Sequence, residues 1–409
     1  MKRAFGGLGV LVAALAMAAG AARADDWPQF RGIKRDGISR EKDLMNRWPE
    51  GGPKKLWDAD VGTGFASVAI ADGKVYAAGV KDRKLVVTAL NEKDGKQVWQ
   101  KEIDGDSGGG GHAGSRSTPT VDGDRLYILS EQGKLACLKT SDGSEVWAKN
   151  ILQTYGAKNI QWRLSESVLV DGDHVLCSPG GRAAMVALNK MTGEEVWASE
   201  GIEERSSYGS VTIIQTGALR QAIGFSASFL FAVNADTGDL LWKQPQKNQW
   251  DVNATTVVYD DGIVYSTCGY GWGGQALKLS VNGKKASVSG LWTDKTLDDH
   301  FGGIVLLKGH VFGTPSRGGL VMLKLADGKV AYHSREVKKS SNIFADGLLY
   351  CQGHDGTMQL VDPNNGKVVS SFKIQLQTAG KMWAHPAIAN GKLYIHHDST
   401  LTVYNIKGR

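Results

Sequence analysis

The chain has 409 residues, 42% of them hydrophobic, with 48 Lys and Arg residues against 42 Asp and Glu. Three of the basic residues lie within the first 24 positions, so the remaining chain has only about three surplus positive charges, which excludes the basic stripe of a nucleic-acid-binding protein. The four cysteines are isolated, which excludes the dense disulfide framework of a small secreted protein. Burial as free thiols is predicted for Cys137, Cys177, Cys268 and Cys351.

Residues 1–24 have the pattern of a secretory signal peptide. Two basic residues precede an apolar run over 8–19, and Ala22 and Ala24 form a small-x-small cleavage site. The apolar run is too short for a membrane-spanning helix, and no cysteine near the cleavage site offers a lipid anchor. These features predict a periplasmic or extracellular protein without a membrane anchor, whose mature chain begins at Asp25.

Residues 25–50 are predicted to form an N-terminal arm that precedes the repeated part of the chain. The arm begins with Asp-Trp-Pro-Gln-Phe-Arg-Gly at 26–32 and continues with Arg-Asp-Gly at 35–37. We expect Trp27 and Phe30 to anchor this irregular segment across the body of the protein rather than to bind a ligand.

An eleven-residue pattern recurs through the rest of the chain. Each copy begins with a small or apolar residue, turns at a Gly, and places an aromatic residue four positions after that Gly. The clear copies are ALNEKDGKQVW (89–99), CLKTSDGSEVW (137–147), ALNKMTGEEVW (187–197), AVNADTGDLLW (232–242) and MLKLADGKVAY (322–332). Two copies are degenerate: an insertion delays Trp292 in the copy at 280–292, and Ser370 takes the aromatic position in the copy at 360–370.

A second pattern precedes each copy, in which two alternating apolar stretches flank an Asp-Gly or Asn-Gly pair. It occurs at 118–129, 167–177, 257–268, 342–352 and 386–396. This arrangement predicts a β-hairpin, because its two-residue turn needs the positive φ that Gly adopts without strain. Each unit is therefore predicted to contain four antiparallel strands, which is the content of a propeller blade.

Counting the aromatic positions gives eight blades, at 57, 99, 147, 197, 242, 292, 332 and 370. The sequence thus predicts an all-β, eight-bladed β-propeller over residues 51–409. Residues 384–409 supply three strands of the last blade and 54–61 supply the fourth, so we expect the N-terminal strand to close the ring. Tryptophans at the first six positions are expected to pack between neighbouring blades.

The repeated motif resembles the tryptophan-docking motif of the pyrroloquinoline quinone (PQQ) repeat family of quinoprotein-like propellers. The resemblance covers residues 51–409. The leader at 26–37 is similar to that of exported bacterial PQQ-like proteins, although Ile33 stands where that group usually has Pro. The family includes PQQ-dependent alcohol and sugar dehydrogenases, and also non-catalytic propellers such as the lipoprotein of the β-barrel assembly machine.

The resemblance implies one catalytic alternative, a PQQ-dependent oxidoreductase that uses calcium. Such enzymes hold the quinone between a Trp and a vicinal disulfide, with a calcium-bound carboxylate and an Asp base. This chain has no adjacent cysteines and no CxxCH motif, which disfavours that function. In this alternative the candidate quinone floors are Trp162, Trp250 and Trp383, and the candidate carboxylate clamps are Arg116, Arg163 and Arg317.

Strand direction predicts two chemically different faces. The Asp-Gly and Thr-Gly turns share the lower face, whereas the blade-to-blade connections and the loops between second and third strands share the upper face. The upper face collects aromatic and charged residues, which is typical of a ligand site. The ligand-binding candidates there are His112, Arg116, Trp162, Arg163, Trp250, Asn253, His300, Arg317, His354, Trp383 and His385.

Several alternatives stay open at this point. The upper-face tryptophans either plug the mouth of the channel or form a ligand platform. The histidines lack the spacing of a metal site, Asp298 and Asp299 resemble a solvated acidic loop more than calcium ligands, and 108–111 is a flexible glycine loop rather than a phosphate cradle. The preferred function is a monomeric, exported, non-catalytic binding or scaffold protein without a cofactor, which holds a protein segment, a glycan or a small molecule.

Overall fold

The computed structural model describes residues 26–408 apart from 108–110, 113, 302, 377 and 379. The predicted signal peptide and most of the predicted glycine loop therefore lie outside the described residues. The described residues form 31 β-strands and one short helix, α1 (Ile151–Thr154). The prediction of an all-β protein is confirmed.

The strands follow one another along the chain with short connections. The first nine are β1 (Lys55–Gly64), β2 (Val68–Ala71), β3 (Lys74–Lys81), β4 (Lys84–Asn91), β5 (Gln97–Asp104), β6 (Thr120–Asp122), β7 (Arg125–Leu129), β8 (Lys134–Lys139) and β9 (Glu145–Asn150). The next twelve are β10 (Leu169–Asp171), β11 (His174–Cys177), β12 (Val186–Asn189), β13 (Glu195–Ala198), β14 (Thr212–Thr216), β15 (Leu219–Phe225), β16 (Phe229–Asn234), β17 (Leu240–Pro245), β18 (Val258–Asp260), β19 (Ile263–Cys268), β20 (Gly273–Asn282) and β21 (Lys285–Asp294). The last ten are β22 (Val305–Leu307), β23 (His310–Gly313), β24 (Leu320–Lys324), β25 (Val330–Ser334), β26 (Ser340–Ala345), β27 (Leu348–Gly353), β28 (Thr357–Val361), β29 (Val368–Lys373), β30 (Ala387–Ala389) and β31 (Lys392–Asn405).

Six sheets have four antiparallel strands each, joined in sequence order: β6–β9, β10–β13, β14–β17, β18–β21, β22–β25 and β26–β29. A seventh sheet has seven strands in the order β30-β31-β1-β3-β4-β5, with β2 paired to β3. Within it β1 pairs with β31 over Lys55–Asp60, where Trp57 lies opposite Val403, and β1 meets β3 at one position, Thr63 opposite Val80. Strands from the two ends of the chain therefore belong to one sheet.

The first two strands of each unit are joined by two-residue turns. The turn is Asp-Gly or Asn-Gly, as predicted, at 72–73, 261–262, 346–347 and 390–391, but at 123–124 and 172–173 it is Gly-Asp, one residue later than the predicted pair. In the hairpin of β2 and β3, Ala71 lies opposite Lys74, and the turn residues Asp72 and Gly73 have φ values of 49° and 71°. Two consecutive positive φ values define the turn type whose twist matches that of the flanking strands. The Asp-Gly pairs thus fix the register that directs apolar side chains into the core.

The aromatic residue of most repeats packs on the glycine turn of the repeat that follows it. The indole N–H of Trp99 on β5 donates to the carbonyl oxygen of Thr140 at 3.1 Å, and a Cβ at Gly143 would lie 2.7 Å from the indole ring. The same two contacts recur for Trp57, Trp147, Trp197 and Trp292. The turn glycine is therefore required by the close approach of the ring as well as by its positive φ.

Trp242 departs from this pattern, and the lengthened fifth repeat explains why. Strands β20 and β21 have ten residues each and extend beside β17, so that Val281 and Val288 pack against the cluster containing Trp242. The indole N–H of Trp242 then donates to Oε1 of Gln221 at 2.9 Å instead of to the next sheet. The insertion thus replaces the glycine turn as the cover of this tryptophan.

The N-terminal arm lies among the first strands of the sheets. Trp27 is buried and pairs with Ile70 of β2 through two backbone hydrogen bonds of 2.9 and 2.8 Å. The carbonyl oxygen of Pro28 accepts a hydrogen bond from the amide of Val121 in β6, and Ile38 bridges to β26. The arm therefore passes through the centre of the molecule, where the first strands converge.

Two buried arginines fasten the arm to this centre. The Arg31 guanidinium donates to the carbonyl oxygen of Ile304, just before β22. Arg35 donates to the carbonyl oxygens of Ser167 at 2.8 Å and Val211 at 3.2 Å, just before β10 and β14. Burial lowers the pKa of both arginines to about 10, so both remain charged at neutral pH.

Candidate functional site

A funnel-shaped cavity of about 250 Å³ opens where the connections between successive sheets converge. We call it the upper funnel. Its lining comes mainly from segments that leave the last strand of one sheet and enter the first strand of the next, with Phe30 added from the arm. The lining residues are Phe30, Phe65, His112, Arg116, Trp162, Ser165, Ser167, Tyr208, Ser210, Val252, Ala254, Tyr270, His300, Phe301, Trp383 and His385.

One arc of the funnel wall is centred on Trp383. The Trp383 ring lies 5.0 Å from Phe65, 5.1 Å from Phe301 and 4.8 Å from His112, measured between ring centroids. His300 stacks on Phe301 at 4.1 Å and extends the arc. These rings present a broad apolar surface that has only ring nitrogens as polar atoms.

The aromatic surface continues around the opposite side. Tyr270 meets His300 at 4.4 Å and Trp250 at 6.5 Å, Trp250 meets Trp162 at 6.0 Å, and the series ends with Tyr208, 6.1 Å from Trp162. Trp250 is 45% exposed, and it forms the outer edge of this arc. Rings from three connections and from the loop between β19 and β20 therefore continue the first arc into a nearly continuous aromatic rim.

The floor of the funnel is formed by the N-terminal arm. The rings of Phe30 and His385 meet in a T-shaped contact, with 5.0 Å between their centroids. Both nitrogens of His385 have partners: Nδ1 lies 3.4 Å from the guanidinium of Arg31, and Nε2 lies 3.0 Å from the carbonyl oxygen of Phe301. The arm thus closes the centre of the channel beneath the aromatic rim.

Three histidines at or beside the funnel are neutral at pH 7. Burial is the main cause: it lowers the pKa of His300 and of His354 to about 4, with a further decrease from the nearby Lys339 ammonium. Burial together with the Arg31 guanidinium lowers the pKa of His385 to about 3. These imidazoles cannot serve as cationic ligand groups under ordinary conditions.

Two cations lie over aromatic rings of the funnel wall. The Arg116 guanidinium lies 5.6 Å from the centroid of Phe65, and the Lys339 ammonium lies 4.9 Å from that of Phe301. Burial lowers the pKa of both groups. Arg116 also forms an ion pair of 3.7 Å with the buried carboxylate of Glu131.

Of the eleven residues predicted from the sequence, the funnel brings together six: His112, Arg116, Trp162, His300, Trp383 and His385. Two more lie beside it, since His354 is 5.3 Å from Phe301 and Trp250 touches Trp162. The structure thus assembles much of the predicted set on one side of the molecule.

Three predicted residues do not line the funnel. The guanidinium of Arg163 donates to Oε1 of Gln132 at 2.9 Å, and Arg317 is exposed on its loop. Asn253 is fully buried, and its side-chain amide donates to the carbonyl oxygens of Ser226 and Gln246. The Asn253 side chain therefore ties its own connection to the loop between β15 and β16 instead of facing a ligand.

The sequence analysis missed Phe30 and Phe65 as parts of the site. Phe30 was expected only to anchor the arm, because nothing in the arm's sequence shows that it crosses the channel axis. Phe65 lies between β1 and β2, in the connection that joins the last blade of the prediction to the first. Because all connections between blades share the upper face, the position of Phe65 in such a connection could have predicted that it lines the funnel.

The described residues do not fit the calcium and quinone site of the dehydrogenases. Among residues 26–408, with the gaps given above, no three His, Cys, Asp or Glu side chains come together as metal ligands. The carboxylate of Asp298 accepts hydrogen bonds from the amides of Ser316 and Gly271, and that of Asp299 from the amide of Thr314. Of the three arginines expected to clamp the quinone carboxylates, Arg116 alone reaches the funnel.

The sheets and the funnel define an all-β repeat protein of the β-propeller class. The family model described as outer membrane protein assembly factor BamB matches residues 51–167 and 83–334. The chain belongs to this family, and its resemblance to PQQ-like propellers is confirmed.

Curated relatives carry the same name. The outer membrane protein assembly factor BamB of Yersinia pestis is 25% identical over 383 residues, which cover 86% of this chain and 88% of that protein. The corresponding protein of Burkholderia pseudomallei (strain K96243) is 28% identical over 251 residues, which cover 52% of this chain and 63% of that protein.

Solved structures share the fold. The crystal structure of BamB from Moraxella catarrhalis has a TM-score of 0.63 and 16% identity, and the match covers 87% of this chain and 98% of that one. A quinohemoprotein alcohol dehydrogenase from Comamonas testosteroni has a TM-score of 0.68 and 13% identity, over 95% and 82% of the two chains. Within the described part of the chain, no helix has the length and hydrophobicity needed to span a membrane.

Proposed function

We propose that this protein is an exported, non-catalytic binding propeller that acts in the assembly of outer-membrane proteins. Its upper funnel holds a bulky apolar side chain of a partner protein segment. The family membership and the names of the curated relatives support the process, and the aromatic rim supports the mode of binding.

The observation that carries this proposal is the aromatic lining around Trp383 and Trp162. A cavity of about 250 Å³ accommodates one or two large side chains, and such concave aromatic sites bury an anchor residue efficiently. The exposed Trp250 and Tyr270 lie at the edge of the funnel, where the rest of the segment would cross the surface.

The chemistry of the polar groups supports a binding function over a catalytic one. His300, His354 and His385 are neutral at physiological pH, and both nitrogens of His385 have protein partners. The quinoprotein alternative is supported by the shared fold alone, since the described side chains do not supply its metal ligands or its arginine clamps.

The proposal includes an eight-bladed ring closed by both ends of the chain. Six four-stranded sheets count as six blades, and the seven-stranded sheet is read as two blades that share its strands. In this reading, β2–β5 form the first blade, and β30, β31 and β1 form the last, with β31 supplying two of its four strands. The pairing of Trp57 with Val403 supports the closure.

The remaining parts of the proposal concern processing and location. We assign residues 1–24 to a cleaved signal peptide, 25–50 to the arm and 51–409 to the propeller, and we place the mature monomer in the periplasm. The arm's contacts with β2, β6 and β26 support its assignment as part of the folded protein.

A binding experiment tests the function. Fluorescently labelled peptides from the strands of an outer-membrane β-barrel are titrated with the purified protein, and anisotropy is recorded. We expect Trp383→Ala to weaken binding by roughly tenfold or more. The matched control is Leu291→Ala, which removes an exposed apolar side chain from β21 and should bind as the wild type does. The absence of peptide binding by the wild type would refute the proposal.

A further inference from the structure

We propose that the upper funnel selects a protein segment in which an acidic side chain lies next to the bulky apolar anchor, and that Arg116 and Lys339 recognise the acid. This inference rests on the proposed function and adds a charge preference to it. The ligand is thus an acidic and apolar peptide segment, rather than an apolar segment of any charge.

Arg116 and Lys339 lie over the two phenylalanines that contact Trp383, the ring on which the apolar anchor would pack. The guanidinium of Arg116 lies over Phe65 and the ammonium of Lys339 lies over Phe301, and the centroids of these two phenylalanines lie 5.0 and 5.1 Å from that of Trp383. An apolar side chain placed against Trp383 would therefore lie close to two rings that each carry a cation. An acidic residue beside the anchor in sequence would meet one of them.

Lys339 has unused capacity to bind an anion. Its ammonium forms no ion pair and donates no hydrogen bond to any other described residue, and its contact with the ring of Phe301 uses none of its three N–H donors. The nearby carboxylates of Asp299 and Asp298 act on Lys339 through space, and both accept backbone amide hydrogen bonds, Asp299 from Thr314 and Asp298 from Ser316 and Gly271. A ligand carboxylate would supply Lys339 with a hydrogen-bonded partner.

Arg116 is also positioned to bind an anion, because hydrogen bonds within its own loop hold its side chain in place. Its Nη2 donates to the carbonyl oxygen of His112 at 2.6 Å, and its Nη1 lies 3.4 Å from that of Gly114, so the side chain is fixed by its own loop. The Glu131 carboxylate is 3.7 Å away, beyond hydrogen-bonding distance. Arg116 lines the cavity and keeps N–H donors available for a second acceptor.

The neighbouring histidines add no positive charge of their own to the site. Lys339 contributes to the lowered pKa of His300 and His354, and Arg31 to that of His385. Carboxylates also lie nearby, since Asp299 and Asp298 act on Lys339 and Glu131 acts on Arg116. The preference for an anionic group therefore rests on the N–H donors that these two half-buried cations have left. A ligand ammonium would instead compete with Lys339 and Arg116 for the same aromatic faces.

The test compares short peptides that are identical except at the residue beside a single Phe, which is Asp, Asn or Lys, all with amidated C-termini. We expect the Asp peptide to bind about fivefold more tightly than the Asn peptide, and the Lys peptide to bind most weakly, with the difference reduced at high salt. Lys339→Gln and Arg116→Gln should each reduce the preference for Asp. The matched control Lys338→Gln, on the exposed neighbouring residue, should retain it.

The outcomes separate the two proposals. Equal binding of the three peptides would overturn the charge preference and leave the proposed function standing, whereas no binding of any peptide would overturn the function itself. An Asn peptide with a free C-terminus that matches the Asp peptide would assign the site to a terminal carboxylate and would also refute this inference. If Arg116→Gln fails to fold by circular dichroism, Arg116→Lys and Lys339→Gln provide the same comparison.

Discussion

The backbone N–H of Trp48 donates to the side-chain oxygen of Ser370 at 3.0 Å, which places an arm residue at a position reserved for an aromatic in the other repeats. Ser370 on β29 occupies the register position that Trp99 occupies on β5. Trp99 lies 5.9 Å from Tyr76, a residue of the second strand in its sheet. Trp48 lies 5.7 Å from Tyr350, which corresponds to Tyr76 because it pairs with Leu360, the partner of Ser370. The arm therefore supplies the ring that the seventh repeat lacks.

Because Trp48 takes the place of the missing aromatic residue, its replacement should strongly lower the stability of the protein. Its side chain is buried against Tyr350 and Phe372, so Trp48→Ala should lower the free energy of unfolding by about 3–5 kcal/mol. Thermal and urea unfolding measure the change. Trp250→Ala, which removes a ring that is 45% exposed, is the matched control and should remain close to the wild type. Equal stability of the two variants would contradict the role assigned to Trp48.

The proposed closure of the ring predicts that the protein cannot remain stable without β1. Deleting residues 51–61 removes the segment that pairs with β31 and leaves that strand with an unpaired edge. We expect a large decrease in thermal stability together with a tendency to aggregate. The control is Leu56→Ala, which alters one exposed side chain of the same strand. A deletion variant with wild-type thermal stability would contradict the shared last blade.

The cysteines are predicted to be four inert free thiols. All four are buried without a disulfide, and burial raises the pKa of Cys137 to about 11 and that of Cys268 and Cys351 to about 12. Because the thiolate is the reactive form, a thiol reagent at mildly alkaline pH should label almost nothing in the folded protein. After unfolding without a reductant, it should label four thiols. Fewer than four would show that an unseen disulfide had formed.

Sequence reasoning succeeded where a short pattern repeats. The spacing between Gly143 and Trp147, or between Gly193 and Trp197, marks a turn and the strand that follows, and both lie in the structure where the pattern predicts. Each repeat requires a positive φ at the turn glycine and a buried aromatic ring four residues later. Agreement among many copies makes the strand assignment robust even where one copy, such as that ending in Ser370, is degenerate.

Sequence reasoning was weaker where position depends on contacts with distant segments. Arg31 and Arg35 lie in an arm without periodicity, and their buried positions follow from carbonyl groups of residues more than 100 positions away. Strand direction places Asn253 at the upper end of its blade, but it does not determine that the side chain points inward between connections. Which residues line the funnel is therefore decided by side-chain direction, which the repeat pattern does not encode.

His354, a half-buried histidine beside the funnel, should make the stability of the protein depend on pH. Its pKa in the folded protein is about 4, below the ordinary value of 6.5, so the unfolded state binds the proton more readily. The stability that the neutral imidazole contributes is therefore fully present above pH 6.5 and is lost as the pH falls towards 4, with a slope of up to about 1.4 kcal/mol per pH unit. His354→Leu should remove that part of the pH dependence.

The comparison has to be made against the wild type at each pH, because other groups titrate in the same range. Glu166 has its pKa raised to about 7 by burial, so its contribution has the opposite sign and is lost as the pH rises through 7. Urea unfolding of both proteins from pH 7 down to pH 4 gives the difference directly, and that difference should change with pH only below about 6.5. The matched control replaces His333, which is exposed on β25, by Asn and should follow the wild type. A constant offset between His354→Leu and the wild type at every pH would show that the pKa of His354 is not lowered in the folded protein.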